Sequence, residues 1–475
     1  MVGLGPGVRA GVRWSFAIAV SFLALGCAGP RYVPPTVEKP AGPLSLQAAV
    51  ELAFRNNPDL AAAEQKVVAA QAAIDDAMSD YWPVLQFSES FYQTDTPSQA
   101  FGIILDQKKF KNTIDFNDPG VTSNWQTAFT GSVTLFDGGR RRYRVLRRNA
   151  EANSTAAQAE RARRDLALEV ARAYYTIHKA RETAGTQEQS ISTLNSHLRI
   201  TKDRQAEGAA RRSEVLAVEV RLAETREAAI VARNSASRAE AGLRLLLGLD
   251  MGDPLELLSP QVTEAPPQEN YGDLVQRAQR SRLELFQAVE QVKAAAARVQ
   301  ETEAGYFPEI TLFGGFRFDD RHPFDFQYGN WFWGASFLQS VVEIFRTPIR
   351  VREAMAQWVA ACAAARKTLL EVELDVKDSL LDAEVADARH EVAAQAAALA
   401  AESLRLVEAE YQEGTATITR LLDAELALTQ ARTRLSATTY DRSLSRIAIL
   451  HAVGEYPPPS AGQRETSTDP QEEKA

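Results

Sequence analysis

The chain of 475 residues carries a formal net charge of -9, with 45% apolar and 24% charged residues. That balance excludes the basic surface a nucleic-acid partner requires. Two cysteines, Cys27 and Cys362, exclude a disulfide framework, and His178, His197, His322, His390 and His451 share no metal-binding motif.

The N-terminus reads as a processing signal. Arg9 and Arg13 precede an apolar run from Trp14 to Leu25, too short to span a bilayer. The run ends in Leu23-Ala24-Leu25-Gly26-Cys27, which resembles the lipobox of bacterial lipoproteins, with Ala24 where that motif usually carries leucine. Residues 1–26 are expected to be a signal peptide and Cys27 the lipidation site; a plain secretory signal is the alternative. No cofactor beyond this covalent lipid is expected. Residues 27–43 form an arm in which Pro30, Pro34, Pro35, Pro40 and Pro43 forbid helix.

The first structural repeat is expected over 44–250. Ser45 caps a helical pattern, Asn56-Asn57-Pro58 breaks it, and an Ala-rich helix runs on to Ser79. Asp80-Tyr81-Trp82-Pro83 then ends the helical period. Strands are predicted over 84–94 and 124–136. In them Leu85, Phe87, Phe91, Trp125, Phe129, Val133 and Leu135 alternate with small polar residues. One apolar and one polar face suit a membrane barrel, although a half-buried soluble hairpin alternates in the same way. The intervening segment, 95–123, is long and polar and reads as an external loop.

After Leu135-Phe136-Asp137-Gly138-Gly139, a proline-free stretch from Arg140 to Leu247 predicts a helix of roughly 67 residues, a turn at 207–213 and a return helix of about 35. The first is on the order of 100 Å long, beyond the need of any compact core. Arg140, Arg141, Arg142, Arg144, Arg147 and Arg148 crowd its start, where they would meet anionic headgroups or face solvent.

A linker at 251–270 leads into a second repeat over 271–456. Leu283-Glu284-Leu285 echoes Pro58-Asp59-Leu60, and Gly305-Tyr306-Phe307-Pro308 echoes Asp80-Tyr81-Trp82-Pro83, both displaced by 225 residues. Strands are predicted over 309–319 and 331–345, with Phe345 standing for Phe136. A second proline-free helical hairpin follows from Pro348, turning near 413–419; Gly414 answers Gly208 and Gly454 answers Gly248. Residues 457–475 are polar and read as a disordered tail.

Four strands cannot close a barrel, for which about eight is the minimum. Open edges are not tolerated in hydrocarbon. A membrane reading therefore requires oligomers, a dimer of eight strands or a trimer of twelve.

The order helix, Pro-Asp-Leu, Tyr-Trp-Pro, strand pair, Leu-Phe-Asp-Gly-Gly-Arg and long hairpin, given twice, resembles the TolC-like outer membrane efflux proteins. The start Cys-Ala-Gly-Pro-Arg-Tyr-Val-Pro-Pro resembles their OprM-like lipoprotein branch. The resemblance implies an α+β membrane protein: a homotrimeric twelve-stranded β-barrel in outer membrane lipid, continued by an α-helical coiled-coil tunnel through the periplasm. It implies an outer membrane channel of a tripartite efflux or export system, with a periplasmic adaptor and an inner-membrane transporter as partners. The implied docking tips are Gly208, Ala209, Arg211, Ser213, Gly414, Thr415 and Thr417. Asp423 matches an aspartate of the constricting gate ring, and Arg420 stands where the family has an acid. Tyr411 and Glu214 match a tyrosine and an acid that link neighbouring helices in the closed state. The arginine that some members carry just after the second turn glycine is Ala416 here; Arg211, Arg212 or Arg420 would have to replace it.

A type I protein secretion conduit is the alternative. A coiled-coil adhesin would explain the helices but not the duplicated strand pairs. A barrel enzyme would want a nucleophile and base on the strands, and Ser88 and Ser132 have no accompanying histidine. No enzymatic activity is expected.

Overall fold

A computed structural model describes residues 37–40, 42–260 and 270–457. The signal peptide, Cys27, most of the N-terminal arm, part of the linker and nearly all of the tail lie outside these residues. The folded unit begins at Pro40.

Ser45 opens α1 (Leu46–Asn56), its Oγ accepting the Ala48 amide at 3.2 Å. Asn57 ends α1 and caps α2 (Pro58–Ser79), its Oδ1 accepting the amides of Asp59 and Leu60 at 2.9 and 3.1 Å. Pro58 suits the first helical position, where its missing amide would have had no partner.

The strands β1 (Val84–Thr94), β2 (Thr122–Phe136), β3 (Glu309–Asp320) and β4 (Gly329–Leu338) form one antiparallel sheet in sequence order. β2 joins β3 across the two halves, from Trp125 opposite Asp320 to Thr134 opposite Thr311. On one face Leu85, Phe87, Phe91, Phe129, Phe316, Trp331, Trp333 and Phe337 are all at least 45% exposed. On the other, Asp319 Oδ1 accepts the side-chain amides of Asn124 and Gln126 at 2.6 and 2.9 Å. Within the apolar face sits a carboxylate: Glu89 lies opposite Thr127, whose hydroxyl donates to it.

The segment expected as a polar loop contains α3 (Pro97–Asp106), which buries Ala100, Ile103 and Ile104. Gln107 pins it to the polar face of the sheet, its Nε2 donating to Ser123 O at 3.0 Å and Asn124 Oδ1 at 2.9 Å. Phe101, Phe110 and Phe116 pack together behind it. Apolar residues at helical spacing outweighed the polar average of that stretch.

Two long hairpins leave the sheet. α4 (Arg140–Ala206) has 67 residues and α5 (Arg212–Leu246) has 35. After α6 (Tyr271–Ser281) and α7 (Leu283–Glu303), α8 (Val341–Gln412) has 72 residues and α9 (Ile418–Ala452) has 35. α4 and α8 would measure about 100 and about 110 Å.

Here the halves differ from expectation. The strand predicted over 331–345 stops at Leu338, and Phe345 lies in α8, not at a strand end like Phe136. After Phe136 the chain turns through Gly138 and Gly139, whose φ angles of 70° and 87° suit glycine alone. Asp137 fixes that turn by accepting the amides of Gly139 and Arg141, both at 3.0 Å. The second half has no glycine there, so its helix starts earlier and carries Pro348 inside it.

The arginines at the start of α4 are largely spoken for. Arg141 pairs with Asp137 at 3.0 Å, Arg144 with Asp80 at 2.5 Å, Arg147 with Glu301 at 2.8 Å and Arg148 with Glu151 at 2.9 Å. Only Arg140 and Arg142 lack an acidic partner among the described residues, so the cluster mainly ties α4 to α2 and α7.

The short helices are joined end to end along the long ones. Asn57 Nδ2 donates to Leu246 O at 3.0 Å, so α5 runs on into α2 beside α4. At the corresponding joint Arg282 donates to Ala452 O at 3.2 Å, and α9 runs on into α7 beside α8. Gly248, at φ 64°, closes the first joint, where a Cβ would stand 2.5 Å from Asn56 O; Gly454, at φ 79°, closes the second, 2.8 Å from Ser281 O. Gly248→Ala and Gly454→Ala should each cost about 1–3 kcal/mol, combining left-handed strain with a backbone clash. Thermal melts of the purified protein should show both variants unfolding at lower temperature, and an unchanged melt would refute the joint's need for glycine.

Candidate functional site

The remote ends of the two hairpins are built alike. Around Gly208, at φ 77°, the amides of Ala209 and Ala210 donate to Arg204 O at 2.8 and 3.2 Å. Around Gly414, at φ 82°, the amides of Thr415 and Ala416 donate to Glu410 O at 2.9 and 3.2 Å. A left-handed glycine thus satisfies the last carbonyls of each long helix. Thr417 caps α9 by accepting the Arg420 amide at 3.4 Å, whereas Arg211 opens α5 with no side-chain cap bond. Gly208, Ala209, Arg211, Ser213, Gly414, Thr415 and Thr417 are all exposed.

An apolar layer joins the hairpins behind these turns. Leu194, Val218 and Leu222 of the first pack with Val407, Tyr411, Ile418, Leu421 and Leu422 of the second. Tyr411 is 7% exposed and its hydroxyl lies 3.5 Å from Thr201 Oγ1. The Arg204 guanidinium sits 4.9 Å over its ring and donates to the carbonyls of Tyr411 and Gln412 at 3.1 and 3.0 Å. Arg204 therefore binds the first hairpin to the end of α8.

The side chains singled out in the sequence are only partly brought together. Within the chain Tyr411 is tied to Thr201 and Arg204, and Glu214, half-exposed, has no side-chain partner among the described residues. Arg420 pairs with Glu410 at 3.0 Å across the second turn, not with Asp423. Asp423, Arg211 and Arg212 are exposed, with no ion-pair partner among the described residues. Ala416 packs against the apolar layer.

Four residues at the tips carry more of the geometry than was read from the chain. Arg204 and Glu410 occupy equivalent places, four residues before each turn glycine, with opposite charge. That signal was available in the duplicated pattern. The other two, Ser190 and Glu425, meet one layer deeper: Glu425 is 6% exposed and accepts the Ser190 hydroxyl at 3.2 Å. Burial pushes its carboxyl above the usual range, and Glu408 adds in the same direction. His197 lies 3.8 Å from Glu408, and burial holds its imidazole below the usual value against the pull of that acid. Neither pairing has a motif in the linear sequence.

The family model described as outer membrane efflux protein matches residues 49–249 and 274–455. The chain is 23% identical to outer membrane protein TolC of Vibrio cholerae over 297 residues, 61% of this chain and 67% of that protein. It is 24% identical to the pyoverdine export outer membrane protein OpmQ of Pseudomonas aeruginosa over 429 residues, 88% of this chain and 86% of that one. The crystal structure of the outer membrane protein VceC from Vibrio cholerae shares the fold, with a TM-score of 0.74 and 19% identity over 86% of this chain and 96% of VceC. The two matched segments fall on the two halves of the duplication. The chain belongs to the outer membrane efflux protein family and is an outer membrane channel of an efflux or export system.

Proposed function

We propose that three copies of the chain close a twelve-stranded barrel in the outer membrane and that the hairpin tips receive a periplasmic adaptor and an inner-membrane transporter. The observation that carries this reading is the sheet: one face is exposed and aromatic, and β1 and β4 leave two edges unpaired within the chain. In lipid such edges must pair with another copy. The helices support it, because α8 exposes Leu374, Leu381, Val385, Val392, Leu399 and Leu406, mostly seven residues apart. That is an apolar seam left uncovered among the described residues and spaced for a neighbouring helix. Among the described residues no helix is long and apolar enough to cross a membrane. The protein conducts cargo and performs no reaction of its own; the likeness to a pyoverdine exporter favours small molecules over secreted proteins.

The tunnel narrows at the tips. Asp423 from each copy forms an acidic ring there, Tyr411 holds the closed packing through Arg204, and Glu214 is free to meet a neighbouring copy. Because Arg420 is engaged by Glu410, it leaves the Asp423 ring un-neutralised. The lipid on Cys27 adds a second attachment to the membrane.

Three outcomes test this reading. The detergent-solubilised protein should be a trimer by native mass, and Val392→Glu, placing a charge in the α8 seam, should shift it toward monomer; a stable wild-type monomer would remove the barrel. In planar bilayers Asp423→Ala should lower cation selectivity several-fold and weaken divalent block, since like charges a few ångströms apart interact by about 1 kcal/mol even in water. Selectivity and block both unchanged in a verified trimer would make Asp423 an ordinary surface residue. Finally, intact mass should find acyl chains on Cys27 that disappear in Cys27→Ala, and an unmodified Cys27 would point to a plain secretory signal.

A further inference from the structure

At the end of the sheet remote from the long helices, the β3–β4 turn brings three metal-ligating side chains together. Asp320, His322 and Asp325 each offer one ligand atom, and these atoms lie within 4.8 Å of one another. Asp320 closes β3 and is 6% exposed, while the His322 side chain is 80% exposed. His322 Nδ1 stands 3.4 Å from Asp320 Oδ1. The other oxygen, Oδ2, is held by Lys109 Nζ at 3.2 Å. One oxygen of Asp325 accepts the Gln327 amide at 3.1 Å, which leaves its second oxygen for a ligand.

The turn that carries these groups is fixed from below. The Phe324 ring stacks on Phe87 with centroids 6.4 Å apart, and Phe326 meets Phe318 edge-on at 5.3 Å. The Phe324 amide donates to Glu89 at 3.4 Å, which also explains a carboxylate on the apolar face of the sheet. The ligating atoms are therefore positioned by packing beneath them.

We propose that Asp320, His322 and Asp325 form a surface site for a first-row divalent transition cation such as zinc. One imidazole nitrogen with two carboxylate oxygens is a mixed donor set of the kind zinc, copper and nickel accept. Calcium and magnesium prefer shells of oxygen alone. Zinc bonds of about 2.0–2.2 Å hold tetrahedral ligand atoms roughly 3.4 Å apart, so the widest of the present spacings, within 4.8 Å, must close by up to about 1.4 Å, while His322 Nδ1 and Asp320 Oδ1 already stand 3.4 Å apart. Three protein ligands leave a fourth position for water, making the ion exchangeable. Lys109 shares Asp320 with the incoming cation and repels it, which sets the affinity below what the three ligands alone would give. The site lies outside the duplicated pattern, because the corresponding segment of the first half carries α3 instead of a short turn.

The experiment is a zinc titration of the untagged, detergent-purified full-length protein, by calorimetry with a competing chelator. The wild type should bind one zinc per chain, and a large excess of magnesium should not displace it. His322→Ala and Asp325→Asn should each weaken binding at least about tenfold, as expected when a ligand is lost. Lys109→Met should tighten it several-fold, because the competing ammonium is gone. That opposite sign separates a metal site from a plain His322–Asp320 charge pair, in which Lys109 would have no effect on zinc. Equal zinc binding by wild type and His322→Ala, displacement by magnesium, or weaker binding by Lys109→Met would each overturn the proposal. His322 and Asp325 lie at the surface, so their variants keep the fold, and native mass of each checks it.

Discussion

A sheet with one apolar face and two bare edges cannot rest in a membrane alone, and much of this chain answers that constraint. The backbone groups along β1 and β4 have no water to turn to in hydrocarbon, so their partners must come from other copies. A sheet of four strands is too small to curl onto itself. The helices must then assemble in the same symmetry as the strands, because α4 and α8 leave the sheet through a glycine turn and a short connection respectively. The exposed apolar row of α8 is what such an assembly would cover. The sheet edges thus dictate what the helical surface must be.

The same constraint explains the distribution of polar groups. On the water-facing side Asn124 and Gln126 both donate to Asp319 Oδ1 and Gln107 extends that network to α3, while Asp319 Oδ2 and Gln107 Oε1 are buried with no partner among the described residues. On the lipid-facing side Glu89, half-buried, is bonded to Thr127 and to the Phe324 amide. A carboxylate on an apolar wall is tolerated when every donor it needs is local and a hydrophobic cover excludes alternatives. At the hairpin ends the logic reverses, since charges there face water and neighbouring proteins, and only Glu425 is drawn inward.

How much of this could be read from the chain depends on the range of the interaction involved. The long helices and the strand alternation are local patterns, repeated with period near 3.6 and 2, and the duplication gave them a second, independent appearance. The turn glycines, Gly208 and Gly414, were legible for the same reason. What escaped was non-local or averaged away. α3 was concealed because the composition of 95–123 is polar even though Ala100, Ile103 and Ile104 fall on one helical face. The expected end of β4 falls too late because Phe345 matches Phe136 but lacks the glycines that follow it. The partners of Tyr411 and Arg420 could not be read, since Thr201 and Arg204 lie some 200 residues away and Glu410 differs in sign from its counterpart. The two-helix joints are half visible: Gly248 and Gly454 repeat in the duplication, but nothing local says that Asn57 reaches Leu246 or Arg282 reaches Ala452.

Those joints have a mechanical consequence. α4 and α8 are continuous beams, whereas α5 with α2, and α9 with α7, are rods cut once and rejoined through a glycine, by Asn57 at the first joint and by Arg282 together with Arg164 at the second. A bend or twist imposed at the hairpin ends travels unbroken along the beams but meets a weak section in each rod, at a fixed height above the tips. Deformation within the rods therefore concentrates at Gly248 and Gly454, while the beams carry it on to the sheet they leave. The two weak sections are also unequal. One is stitched by a neutral amide, the other by a guanidinium shared with Asp375 and Glu284. Of the two rods in each chain, the first yields more readily, so torsion of the tips is taken up unevenly between the halves of the duplication.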